Sequence, residues 1–178
     1  MYFCKKNSSM RTNLEIYDKH VAFFGSAFSN FYDCNFTEGG KVWKSSEQCF
    51  MAKKAEFFGD EEMYESILNS KTPREAKKYG RLVKNFDADK WMEVCFDKMY
   101  EACYAKFSQN EELKEFILSE EFEGKGFIEG SPFDAIWGVK MDWRNPDIDD
   151  ENNWKGKNLL GKVLDEVRYV LKNEPSLL

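Results

Sequence analysis

The sequence predicts an α+β fold, predominantly helical, held in a single domain with short strands. Three observations point there. Helix-start signals recur from Ser45 onward. Short aromatic and β-branched runs bounded by turn residues precede and follow them. The chain has 178 residues with a 42% hydrophobic fraction, enough for one core.

Residues 1–19 are polar and read as a loosely attached segment, leaving 20–178 as the domain. From Val21 to Val42 the text suits short strands and loops: VAFFG, FSNFYDCNF, a Glu-Gly-Gly turn and KVW. Ser45 with Gln48 forms a capping box that starts a helix running to about Phe58. A second helix is expected over 60–69. Thr72-Pro73-Arg74-Glu75 makes another box with proline at the first helical position, opening a helix to about Val83. Asp89 is a cap for a longer helix through Phe107, and Asn110 for one to Leu118. Strands are expected at GFIEG (126–130) and AIWGVKM (135–141). The acidic stretch Asp142–Asn153 reads as a loop, and the last helix covers about Asn158 to Lys172. There is no internal repeat.

The formal charge of −6 disfavours wholesale duplex binding, since phosphate neutralisation supplies most of the affinity of a DNA-binding protein. A local exception runs from Lys71 to Lys84, with six Lys/Arg against the single acid Glu75. The cysteines number five, an odd count without C-x-x-C spacing, which fits a reducing compartment. His20 is the single histidine, so zinc sites and His-activated nucleophiles have little material to work with. No apolar leader or membrane span is visible. A soluble, cytoplasmic protein is expected, with no membrane association and no obligate protein partner.

On a helical wheel of the first helix, Phe57, Phe50, Lys54, Glu47, Phe58, Met51 and Ala55 form one arc, and Gln48, Ala52, Glu56, Cys49 and Lys53 the other. Glu47 and Lys54 therefore lie on an apolar stripe, where an unpaired charge costs several kcal/mol. A buried ion pair explains this, and so does a pocket floor carrying an acid/base carboxylate and an activated amine. A second cluster, FIEGSPFDAIWG (127–138), sets Glu129 and Asp134 on either side of a Gly-Ser-Pro turn. It reads equally as turn chemistry, with Asp134 as the cap, or as reactive groups on a loop. GKNLLG (156–161) is a weak match to a helix start that offers backbone amides to an anion. Taken singly, Trp91, Asn110 and Arg81 read as core aromatic, helix cap and surface charge.

Taken together, these pieces resemble the YbiA/NADAR family from Phe23 to Leu171. The matching stretches are FFGSAFSNF (23–31), VWKSSEQCFMAKKA (42–55), TPREAKKYGR (72–81) with Trp91, KFSQNEEL (106–113), FIEGSPFDAIWG (127–138) and GKNLLGKVLDEVR (156–168). The resemblance implies N-glycosidase chemistry on ribosylated bases or amines. In some members this is linked to phosphorylated riboflavin-pathway intermediates, in others to removal of ADP-ribose from guanine. It implies that Ser46-Glu47 and Lys54 match the family's first-helix motif. It likewise maps Glu129, Ser131, Pro132, Asp134, Trp137 and Gly138 onto its E-x-S-P-x-D-x-x-W-G motif. Two departures stand out: Gln48 where the family often has His, and Lys140 where it usually has a second glycine.

The expected catalytic groups are Glu47 and Asp134 in acid/base and cation-stabilising roles, with Lys54 as nucleophile or phosphate-side charge. Trp137 with Phe31 or Trp91 is expected to wall the cleft, and Asn30, Arg81 and Asn158 to supply polar contacts, beside Glu129, Ser131 and Gly138 of the motif. Glu47 and Lys54 are expected to point into a pocket closed by 129–138. No metal or cofactor is required. The expected partner is a small ribosylated molecule or an ADP-ribosylated nucleotide or nucleic acid, and the alternative to an enzyme is a non-catalytic ADP-ribose-binding module.

Overall fold

In the first β run, Leu14–Ile16 (β1) pairs antiparallel with His20–Phe23 (β2), which is buried along its whole length. The computed structural model describes residues 9–174, so the start of the expected N-terminal segment, with Cys4, lies outside the described residues. The loose attachment expected over 1–19 does not hold for β1, whose three residues are hydrogen-bonded into a sheet. The chain is predominantly helical α+β. It divides into two units, one made of residues up to Ser29 together with those from Glu111 on, the other of Asn30–Asn110.

In the first unit, Gly126–Glu129 (β5 in chain order) lies parallel to β2 with His20 opposite Gly126, giving the strand order β1-β2-β5. Alternation along β2 and β5 sends side chains to two faces. On one, Phe28 meets the rings of Phe23, Phe116, Phe122 and Phe127 at centroid distances of 4.6–5.6 Å. Each fully buried Phe contributes about 1.5–3 kcal/mol. On the other, Ala22 and Ile128 pack with Val139 and Ile148 beneath Tyr17, Met141, Trp143 and Trp154.

The strand expected at 135–141 does not form. Asp134 Oδ1 accepts from the N–H groups of Ile136 and Trp137 at 2.9 and 2.8 Å, which folds the chain into a turn. The carbonyls of Ala135, Ile136, Trp137 and Gly138 then accept from the amides of Lys157, Leu159, Leu160 and Asn158, so none is left for a sheet. The acidic stretch expected as a loop holds two short 3₁₀ turns, Pro146–Asp149 and Glu151–Asn153.

The second unit opens with the hairpin of Phe36–Glu38 (β3) and Lys41–Trp43 (β4). FSNFYDCNF thus contributes only its last residue to a strand. Gly39 and Gly40 turn the hairpin with φ of 58° and 71°, the two positive values that a tight I′ turn requires. Four helices follow: Ser46–Phe57 (α1), Glu61–Leu68 (α2), Pro73–Gly80 (α3) and Ala88–Gln109 (α4). The remaining helices, Glu111–Ile117 (α5) and Leu159–Asn173 (α6), belong to the first unit, where α6 packs on β5.

The caps are side-chain oxygens accepting backbone amides: Ser45 from Gln48, Asp60 from Met63 and Thr72 from Glu75. The cap of α4 is Asp87, which accepts from Asp89 and Lys90, rather than Asp89 itself. α3 stops at Gly80, short of the expected Val83, because the Leu82 amide bonds back to Tyr79 and tightens the last turn.

The two-faced wheel for α1 does not survive packing. α1 touches α2, α3 and α4, and its supposed polar face is buried: Gln48 is 3% exposed, Cys49 and Ala52 0%, and Lys53 8%. Polar groups there are satisfied by partners. Lys53 binds Glu38 and Glu101, both at 2.7 Å, which staples β3, α1 and α4 together. Conversely Phe57, assigned to the apolar arc, is 42% exposed.

Candidate active site

Glu47 occupies the first turn of α1, and its N–H donates to the Asn30 carbonyl at 3.0 Å. Its side chain keeps only 5% exposure, and Lys77 Nζ stands 4.0 Å from Oε1. The positive end of the helix dipole and the Lys77 ammonium together offset the cost of burying this carboxylate. Lys77 Nζ also lies 5.2 Å from the centroid of the Phe31 ring. Asn30, 6% exposed, uses Oδ1 to accept from the Cys103 thiol at 3.7 Å. Burial pushes that thiol up to about 12, so it is a neutral donor and not a nucleophile. Asn30, Phe31, Glu47 and Lys77 thus form one polar cluster with an aromatic side.

Lys77 was missed by the sequence reading, although a signal existed. Pro73, Ala76, Lys77 and Gly80 share one stripe of α3, spaced i, i+3, i+4 and i+7, and Ala76 and Gly80 are buried. On α3, Lys77 is the basic residue that rides this inward stripe, while Arg74 and Lys78 are exposed.

Lys54 does not pair with Glu47. Its Nζ donates to the Gly80 carbonyl at 2.9 Å and lies 3.9 Å from the Phe86 ring centroid. Burial lowers its pKa, and among the described residues no carboxylate pairs with it to compensate. Trp91, 8% exposed, packs 5.2 Å from Phe50 and 5.9 Å from Phe57, so it is core to this cluster. Arg81 is exposed at the end of α3.

In the other unit, the E-x-S-P-x-D-x-x-W-G segment is a tightly hydrogen-bonded turn. Ser131 Oγ accepts from the Phe133 amide at 3.3 Å, and Glu129 and Trp137 are half-buried. Gly138 is buried, and a Cβ on Gly156 would fall 2.2 Å from its carbonyl oxygen, so only glycine permits this approach. Asn158 is a clamp rather than an open polar contact: Oδ1 accepts from the Glu129 amide at 3.1 Å and Nδ2 donates to the Phe127 carbonyl at 2.8 Å. The amides of 157–160 are covered by the carbonyls of 135–138, which closes the anion-site reading of GKNLLG. Asp134 Oδ1 is taken by its turn.

Among the described residues no three His, Cys, Asp or Glu side chains gather as metal ligands do, and no helix is long and apolar enough to cross a membrane.

A model of the NADAR domain matches residues 18–172. The chain belongs to the NADAR family. This NADAR chain is 37% identical over 164 residues to N-glycosidase R617 of Acanthamoeba polyphaga mimivirus, covering 85% of this chain and 95% of that one. It is 33% identical over 147 residues to N-glycosidase YbiA of Escherichia coli K12, covering 83% and 82% respectively. Protein irg-1 of Caenorhabditis elegans is 37% identical over 169 residues, covering 85% and 79%. The fold of this chain is similar to the NMR structure of E. coli YbiA, with a TM-score of 0.71 and 30% identity over 92% of this chain and 91% of that one.

Both departures from the NADAR pattern have a structural account. The Gln48 amide holds backbone: Oε1 accepts from Lys44 at 2.9 Å, and Nε2 donates to the carbonyls of Ile67 and Leu68 at 3.0 and 3.1 Å. Lys140 sits at φ 56°, the left-handed region that glycine adopts without strain.

Proposed function

We propose that this chain is an N-glycosidase that hydrolyses the bond between C1 of a ribosyl unit and a nitrogen, the ribosyl unit being ADP-ribose on a guanine base or a phosphorylated ribosylamine. It is a hydrolase acting on N-glycosyl bonds, as are relatives that share a third of its residues over most of both chains. The observation that carries the finer reading is the buried Glu47 carboxylate facing a half-exposed lysine beside an aromatic ring.

Breaking the ribosyl C–N bond builds positive charge at C1, and the buried Glu47 carboxylate is the proposed group that stabilises it. The departing nitrogen takes up a proton from a general acid. Lys54, half-buried and without an acid partner among the described residues, is the proposed nucleophile. Its amine adds at C1 as the base leaves, the ring opens to an imine, and water releases the sugar. Phe31 offers a flat wall, and the Asn30 amide nitrogen a donor. Four free cysteines among the described residues support a reducing compartment such as the cytoplasm.

The test is incubation with ADP-ribosylated guanosine and, separately, with a riboflavin-pathway ribosylamine phosphate, following the products by mass spectrometry. Release of base or amine from either substrate is expected. Release from neither, by folded protein, sinks the reading.

A further inference from the structure

We propose that Lys77 is the phosphate-recognising residue of the Glu47 site, and that it exchanges partners, leaving Glu47 for a phosphate oxygen when ligand binds. The proposal rests on the glycosidase reading and assigns the residue that selects phosphorylated over phosphate-free ribosides.

The geometry of the Lys77–Glu47 pair is that of a loose contact. At 4.0 Å it is too long for a hydrogen bond, the lysine side chain is 36% exposed and the carboxylate 5%. Among the described residues Lys77 makes no side-chain hydrogen bond, and its other neighbour is the Phe31 ring. A committed buried lysine in the same unit looks different: Lys53 holds two carboxylates at 2.7 Å with 9% exposure. Lys77 is therefore free to turn, and the surrounding run from Lys71 to Lys84 carries six cations against Glu75. Glu75 is itself engaged, accepting from the Lys71 amide at 2.7 Å. Lys84 is paired with Glu62 at 2.6 Å, and the remaining cations still outnumber Glu75, so an anion arriving at this edge meets an excess of positive charge.

The chemistry also requires an exchange. A lysine held on Glu47 cancels the charge that a cationic sugar needs. If the same lysine moves to the ligand's phosphate, both charges are compensated before binding and both are correctly placed after it. Substrates without phosphate leave the lysine on Glu47.

The experiment measures ADP-ribose and adenosine binding by calorimetry to the full chain, to Lys77→Ala, Lys77→Arg and Glu47→Gln, and to the Glu47→Gln/Lys77→Ala double variant. Lys77→Ala is expected to weaken ADP-ribose by about tenfold or more, the worth of a charge-assisted hydrogen bond. Adenosine binding should not change. Lys77→Arg retains most of the affinity. Glu47→Gln, by releasing the lysine, tightens ADP-ribose by about threefold, the worth of a partly exposed ion pair. The double variant returns to the Lys77→Ala level. ADP-ribose affinity in Lys77→Ala within twofold of wild type overturns the proposal, as does weaker binding in Glu47→Gln or no binding by wild type. The glycosidase assay on the same preparations separates the two claims. Base release with unaltered Lys77→Ala binding removes only the exchange, whereas the expected binding pattern without any release removes only the glycosidase.

Discussion

Lys54 donates to the carbonyl of Gly80 at 2.9 Å, tying the last turn of α1 to the end of α3. Its acceptor is a neutral carbonyl, so the bond supplies no counter-charge to the burial that lowers the amine's pKa. Borohydride added during turnover should leave a reduced sugar adduct on the peptide containing Lys54, and none on Lys54→Ala. Turnover with no adduct on the wild type would assign the lysine a structural role.

Glu47→Gln keeps size, the first-turn position and the main-chain bond to Asn30, and removes only the charge. Turnover should fall by about 10²–10³, the usual loss for one electrostatic group. The thermal midpoint should stay near that of wild type. Wild-type rates in this variant would remove Glu47 from catalysis.

Asp134 separates turn from chemistry through two variants. Asp134→Asn keeps an acceptor for the Ile136 and Trp137 amides, so stability should hold. Asp134→Ala loses both bonds and should cost about 1–2 kcal/mol in a urea titration. A rate lost in Asp134→Asn at unchanged stability marks a catalytic carboxyl. Full activity there leaves the residue as a turn cap.

Lys140 carries backbone strain at φ 56°. Lys140→Gly should raise stability by about 1 kcal/mol by relieving the left-handed conformation. A decrease would mean that the lysine side chain itself contributes.

Asp165 predicts a pH dependence. Burial raises its carboxyl to about 6, against the opposing pull of Arg168. An acid whose pKa is higher folded than unfolded stabilises the fold in its protonated form. That contribution is present below the unfolded value near 3.8 and is lost as pH rises through about 6. Between those values Asp165→Asn should flatten the decline of the urea midpoint with pH. An identical slope in wild type and variant would show that Asp165 does not titrate there.

The sequence by itself determined the helical α+β class, the caps at Ser45 and Thr72, the hairpin turn at Gly39–Gly40 and the strand at 126–129, because each rests on local backbone chemistry. It also determined the family, since six short stretches in one order are read without coordinates. It singled out Glu47 as a carboxylate on an apolar helical stripe. Tertiary structure alone decided what that carboxylate faces. The wheel of α1 suggested Lys54 because both sit on one stripe, but a central helix touched by three others has no single inward face. The cation at Glu47 comes instead from α3, a contact set by helix packing and invisible to spacing along α1. The same holds for 135–141, whose composition suits a strand. Its carbonyls are claimed by the amides of 157–160, and hydrogen bonds made across such sequence separation override local propensity.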